Sequence, residues 1–327
     1  MGYNIYYQPL NGFDTVFDYT LNNDIQDGLI EYLDYALLDK GNYFNTELGE
    51  LAPNGQDYSR LSLVQDPNYT DGQVWEGFRK NWVWQSGVQF SPAPLVGTDD
   101  AKPGVSGVYV GGSFHPTSSV GTYAHYIDHY YGRVIFDSPI PTGSIVQAEH
   151  SYKWINVVYA NDLPWYKEIQ LETTSPTSQF FEAKKGEWNI PAEARLQLPA
   201  IAIEVVPTRT FKGYQLGGGQ FVKNDVIFHC IAEDEITRNK LLDIISYQSD
   251  KIMPLFNSNT LHASGDFPLD YRGVPVSGAL QYPDIVKNHY GGKIRFTQMS
   301  IQEMVTIGSD IYGGIVRMTA EGIKTNI

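Results

Sequence analysis

The sharpest metal-like spacing in the chain is His125-Tyr-Ile-Asp-His129. On a helix two rings four residues apart could share an ion. On a strand they lie about 13 Å apart, too far to ligate one metal together. Tyr123, Tyr126, Tyr130 and Tyr131 favour a strand here, so no metal ligand is assigned. Gly217-Gly218-Gly219 could cradle a phosphate only if a helix began directly after it. Gln220-Phe221-Val222 follows instead, and no Gly-Lys-Ser/Thr is present, so no cofactor is implied. Cys230, the single cysteine, sits in an apolar run and reads as a small buried hydrophobe. No Gly-x-Ser-x-Gly, His-Glu-x-x-His or Cys-x-x-Cys occurs. The 37 acidic residues would give carboxylate pairs by chance, so none marks an acid/base couple. No catalytic residue is assigned.

Residues 75–84 are dense in aromatics. Trp75, Phe78 and Trp82 follow helical spacing, while Trp82 and Trp84 follow strand spacing. Such rings suit a core or a subunit interface; alternatively they stack on sugars.

The elements that must carry these residues are mostly strands. Aromatics make up 13% of the 327 residues and come with 31 Gly and 18 Pro, a mixture that favours short strands and tight turns. Two helices stand out. In residues 24–38, Ile25, Leu29, Ile30, Leu33, Ala36 and Leu37 form one stripe, with Asn23 as N-cap and Gly41 at the stop. The second spans residues 234–247, with Glu233, Asp234 and Glu235 crowding its positive end and Pro254 preventing continuation. Strands are predicted at 108–110, 123–131, 133–136, 146–152 and 155–159. They continue at 200–206, 226–232, 293–299 and 311–319. The expected fold is α+β, mainly β: an antiparallel β-sandwich-like middle domain followed by an α+β C-terminal domain. The expected divisions are 1–90, a helical and extended segment; 91–165, β-rich; and 166–327, α+β. Residues 254–289 form a loop too long to be idle, and so a contact surface.

Composition excludes some classes. With 42% hydrophobic and 18% charged residues the chain is not disordered. Its 23 Lys+Arg against 37 Asp+Glu give −14, with no basic stripe for nucleic-acid phosphates. No run approaches 18 apolar residues, so no membrane span is expected. Residues 1–10 lack the basic and apolar regions of a secretory signal.

Several segments resemble virion structural proteins of marine cyanophage-type tailed bacteriophages. They are LDYALLDKGNYFN (33–45), DPNYTDGQVWEGFRKNWVW (66–84), GVYVGG (107–112), YIDHYYGRVIFD (126–137), QLPAIAIE (197–204) and YQLGGGQ (214–220). The resemblance implies a non-enzymatic protein of the head–tail neck or upper tail, connector- or tail-terminator-like. It implies a homo-oligomeric ring of six or twelve copies in contact with other neck and tail proteins. DNA would pass through its lumen without specific binding. The alternative is a carbohydrate-binding module of a tail fibre or adhesin. Interface residues expected on the first reading are Leu29, Leu33, Leu37, Trp75, Trp82, Trp84, Phe256 and Leu261. Residues 23–44 and 253–288 would form the docking surfaces, and deleting 258–284 would spare the middle domain while abolishing assembly.

Overall fold

A computed structural model describes residues 21–49, 51, 55, 57–85, 105, 107–160, 168–170, 195–215, 218–276, 278, 280–303 and 311–324. The fold is mixed α+β and rich in strands. Its main body is a six-stranded sheet built from β10 (Asn156–Tyr159), β13 (Ala200–Gln215), β14 (Gly218–Ala232), β15 (Ile252–Phe256), β16 (Tyr290–Glu303) and β17 (Tyr312–Lys324). The strand order is β10-β13-β14-β17-β16-β15, with β10 parallel to β13 and every other pair antiparallel.

Alternation along these strands decides which face is covered. Ile201, Ile203 and Val205 of β13, Val226, Phe228 and Cys230 of β14, and Val316, Met318 and Ala320 of β17 all enter one core. Helix α1 (Leu21–Asp39) closes that core with Ile25, Leu29, Leu33 and Leu37. Helix α2 (Glu235–Ser246) adds Leu241, Leu242 and Ile245. Burying each such side chain contributes about 1.5–3 kcal/mol. The α2 N-cap is Asp234, whose carboxylate accepts the Thr237 N–H at 2.8 Å. On the reverse face, Ala200, Ala202 and Ile231 pack with Val158, Leu196, Leu198 and Ile311.

The middle of the chain forms small antiparallel sheets: β2 (Ser62–Leu63), β3 (Val74–Glu76), β7 (Arg133–Phe136) and β6 (His125–Asp128) in one, β5 (Ser113–Pro116), β4 (Gly107–Val110) and β8 (Val146–Gln147) in another. A third pairs β1 (Tyr43–Thr46) with β9 (His150–Lys153). Trp75, Trp82, Val108, Val134, Phe136 and Val146 share their core. Arg133 is buried there against Glu76, Nε to Oε2 at 2.7 Å. Strands β11 (Glu168–Gln170) and β12 (Arg195–Gln197) form a separate parallel pair.

Two expectations change. The strands predicted at 200–206 and 226–232 are the inner halves of a hairpin that runs on to Gln215 and Gly218; Pro207 and the polar outer half hid its length. The predicted loop 254–289 contains the end of β15 and two short helices, α3 (Ser258–Ser264) and α4 (Asp284–Asn288). The expected division points at 90/91 and 165/166 fall outside the described residues. Helix α1 seals the sheet made mainly from residues 200–324, and β10 is one of its strands.

Two substitutions separate core from surface. Leu29 is 1% exposed, so Leu29→Ala should cost about 2–5 kcal/mol in urea unfolding. Ile236 on α2 is 70% exposed, and Ile236→Ala should stay within about 0.5 kcal/mol of wild type. Equal effects would show that α1 does not close the sheet.

Candidate functional site

Most of the residues expected at an interface are used inside the chain. Leu29, Leu33 and Leu37 lie in the main core. Trp75 is 3% exposed and Trp82 fully buried. The Trp82 indole N–H donates to the Arg79 carbonyl at 2.7 Å, and its ring stacks on His150 at 4.2 Å. The Trp75 N–H donates to the Gly72 carbonyl at 3.0 Å. Phe256 and Leu261 pack with Tyr282, Ile285 and Val286. Only Trp84 keeps partial exposure, with the Lys153 ammonium 6.0 Å from its ring centre. Aromatic density signalled a demand for burial and left open which surface would meet it.

The histidines of the 125–129 run go to different partners. His125 Nδ1 lies 2.8 Å from the Tyr123 carbonyl, and His129 Nδ1 lies 3.2 Å from the Gly273 carbonyl. Carbonyls only accept, so both Nδ1 atoms carry protons. Among the described residues no group of three or more His, Cys, Asp or Glu is placed to hold a metal. Gly218 and Gly219 begin β14, whereas Gly217 lies outside the described residues. Cys230 is buried, and burial pushes its thiol up to about 12.

The segment 257–289 docks on its own chain. Asp24 accepts the Ser258 N–H at 2.9 Å, and Asp27 accepts the Ser258 hydroxyl at 3.1 Å. Tyr282 packs on Tyr32 and Tyr35, with ring centres 5.9 and 5.5 Å away. Farther along, the Gly273 carbonyl also accepts the His129 backbone N–H at 3.1 Å. Gly273 has φ +73°, and a Cβ there would fall 2.2 Å from Asp128 Oδ1, so the close approach admits only glycine. Beside it the Arg272 guanidinium lies against the Tyr126 and Tyr271 rings and pairs with Asp270. The docked loop leaves Tyr271 96% exposed at its tip. Removing residues 258–284 would therefore strip a hydrogen-bonded cover from His129 at the end of β6.

Sequence spacing gave no sign of the polar side chains that join the parts. Asn42 imitates a strand, donating to the Ile155 carbonyl at 2.9 Å and accepting its N–H at 2.6 Å. Gln197, 1% exposed, accepts the Lys80 N–H at 2.8 Å and donates to the Phe78 carbonyl at 2.6 Å. Along α1 the carboxylates of Asp27, Glu31 and Asp34 follow one face. Asp34 holds Lys153 at 2.6 Å, and Tyr159 donates to Asp27 at 3.0 Å.

Among the described residues, two stretches of strand backbone at the sheet's edges have no strand partner on their outer side. Strand β10 covers β13 only along 200–203, and β15 covers β16 only along 290–295. Beyond those stretches no described strand pairs with the outer side of either. Phe211 on β13 is 43% exposed; Met299 and Ile301 on β16 are 38% and 45% exposed.

Buried titratable groups make stability depend on pH in a stated direction. Burial brings His129 and His150 down to about 4 from 6.5. The unfolded chain gains those protons near pH 6.5, so each imidazole lowers stability by about 1.4 kcal/mol per unit as pH falls toward 4. Glu31, raised to about 7 chiefly by burial, has the opposite sign: stability is lost as pH rises from 4.5 through 7. The buried histidines, His125 included, outweigh the carboxyl, so stability should fall as pH drops from 6.5 toward 4.5. Glu31→Gln should steepen that fall in urea titrations, and an unchanged slope would contradict the burial of the carboxyl. Gly273→Ala should strain the docked loop by about 1–3 kcal/mol and speed hydrogen exchange at the His129 amide. Unchanged protection there would disprove the docking.

No family model matches the chain, and no curated protein matches it.

Proposed function

We propose that the chain is a non-catalytic structural subunit of a tailed-phage virion, assembling into a ring at the head–tail neck or upper tail. In this reading the middle sheets act as a sandwich-like unit and the six-stranded sheet, with its helices, as the α+β unit. The observation that supports it most is the pair of open, partly apolar edges on opposite sides of one long sheet. A subunit with two different sticky edges makes head-to-tail contacts, and such contacts close into a ring when the rotation between copies permits. Strand β13 spans about 50 Å at about 3.3 Å per residue, long enough to brace a neighbour over much of its height. The net charge of −14 suits a conduit that repels DNA phosphates and lets the duplex slide. The sequence segments quoted above carry the phage assignment itself.

The carbohydrate-binding alternative drew on Trp75, Trp82 and Trp84 and on the tyrosines of residues 123–131 as stacking platforms. Trp75 and Trp82 are buried, which leaves it Trp84, partly exposed, and Tyr130, 47% exposed.

Light scattering over a concentration series tests the ring. A discrete mass of six or twelve times 36.7 kDa is expected. A chain that stays at 36.7 kDa throughout counts against self-assembly.

A further inference from the structure

We propose that the copies join edge to edge: the outer part of β13 (209–215) of one subunit pairs antiparallel with the end of β16 (300–303) of the next, so that the sheet runs on across subunits. This rests on the ring reading above.

Four features of the described residues lead to this pairing. The first is the unpaired backbone along both stretches, since an edge strand's free N–H and C=O groups are a template for a further strand. The second is strand sense. Each neighbour from β13 through β14 and β17 to β16 is antiparallel, so β16 runs opposite to β13. Copies related by rotation about an axis along the sheet keep those senses, and β13 of one meets β16 of the next antiparallel.

The third is the side-chain content. Phe211 is paired with Val222 and Ile301 with Val316, and both project on the helix-bearing face. In a continuous sheet they lie on the same side. Arg209 and Lys212 are the only charges between residues 205 and 215, while residues 296–302 carry none. A cationic edge therefore meets an edge without cations on a chain of charge −14.

The fourth is the position of the bulges. The ladder shifts register between Val205 and Arg209, where Pro207 removes a donor, and again between Thr297 and Ser300, where Gln298 has φ 52°. Bulges and edge prolines block indiscriminate strand addition. Here they leave one short stretch open on each side, beyond the bulge. The two stretches are offset along the sheet. Ile301 sits opposite Val316 of β17, whereas Lys212 aligns through Phe221 with Ile323, seven residues farther on. Matching them slides each copy by about 23 Å along the strands, which inclines the strands to the ring axis as in a closed barrel.

The test uses two single-edge variants of the full chain, Phe211→Asp and Ile301→Asp, checked for folding by circular dichroism. Wild type should form the closed oligomer, and each variant alone should stay monomeric. An equimolar mixture should stop at a dimer of twice 36.7 kDa, because one good edge of each kind remains. If either variant alone assembles like wild type, or if the mixture stays monomeric, edge pairing is overturned while the ring reading stands. A wild type that is monomeric throughout overturns both. Should either variant fail to fold, Lys212→Glu and Met299→Lys take their places with the same expected outcomes.

Discussion

The architecture depends on one helix lying across one sheet. Helix α1 comes early in the chain, yet its apolar stripe closes a core built mainly from strands more than 160 residues later. The face it presents elsewhere is also occupied: Asp24 and Asp27 hold the start of α3, Asp34 holds Lys153 of β9, and Tyr32 and Tyr35 carry Tyr282. The six-stranded sheet, the middle sheets and the docked loop therefore meet on α1. Moving it would uncover apolar surface on the sheet and break charged contacts on the other side together.

The middle sheets bury polar and charged groups in fixed pairs. Glu76 is fully buried and Arg133 nearly so, an arrangement that adds little net stability but makes mismatched packing costly. Trp82 against neutral His150 has the same character, a large ring whose one donor and whose stacking partner are both fixed. Gln197 reaches into this region from β12 and supplies two backbone contacts that water would otherwise have to make.

The sequence was most legible where periodicity and burial agreed. The stripe Ile25, Leu29, Leu33, Leu37 predicted a helix at 24–38, and α1 covers 21–39. The alternating apolar residues of 200–206 and 226–232 predicted strands for the same reason. Legibility failed in the outer half of that hairpin, where Arg209, Thr210 and Lys212 have no core to face, and a strand looks like a loop without backbone pairing in view. For Trp75, Trp82, Phe256 and Leu261 apolar character reports the need for burial and is silent about whether the cover is the same chain or another. The joints made by Asn42 and Gln197 were unreadable, since single polar residues acquire partners only through the fold.

The long span between α1 and its strands bears on how the chain is made. During synthesis α1 emerges with its apolar stripe bare, and of the sheet it covers only β10, with Ile155 and Val157, is made before β13 and β14 leave the ribosome. The sheet is not closed over until β16 and β17 follow, since Ile294, Phe296, Val316 and Met318 belong to the same core. Long-range pairing of this kind folds slowly and leaves intermediates with exposed apolar surface. A growing chain must therefore be shielded, by a chaperone or by its own transient collapse, through most of its translation. A message truncated ahead of β17 would yield a product prone to aggregation, with no smaller working subunit to fall back on.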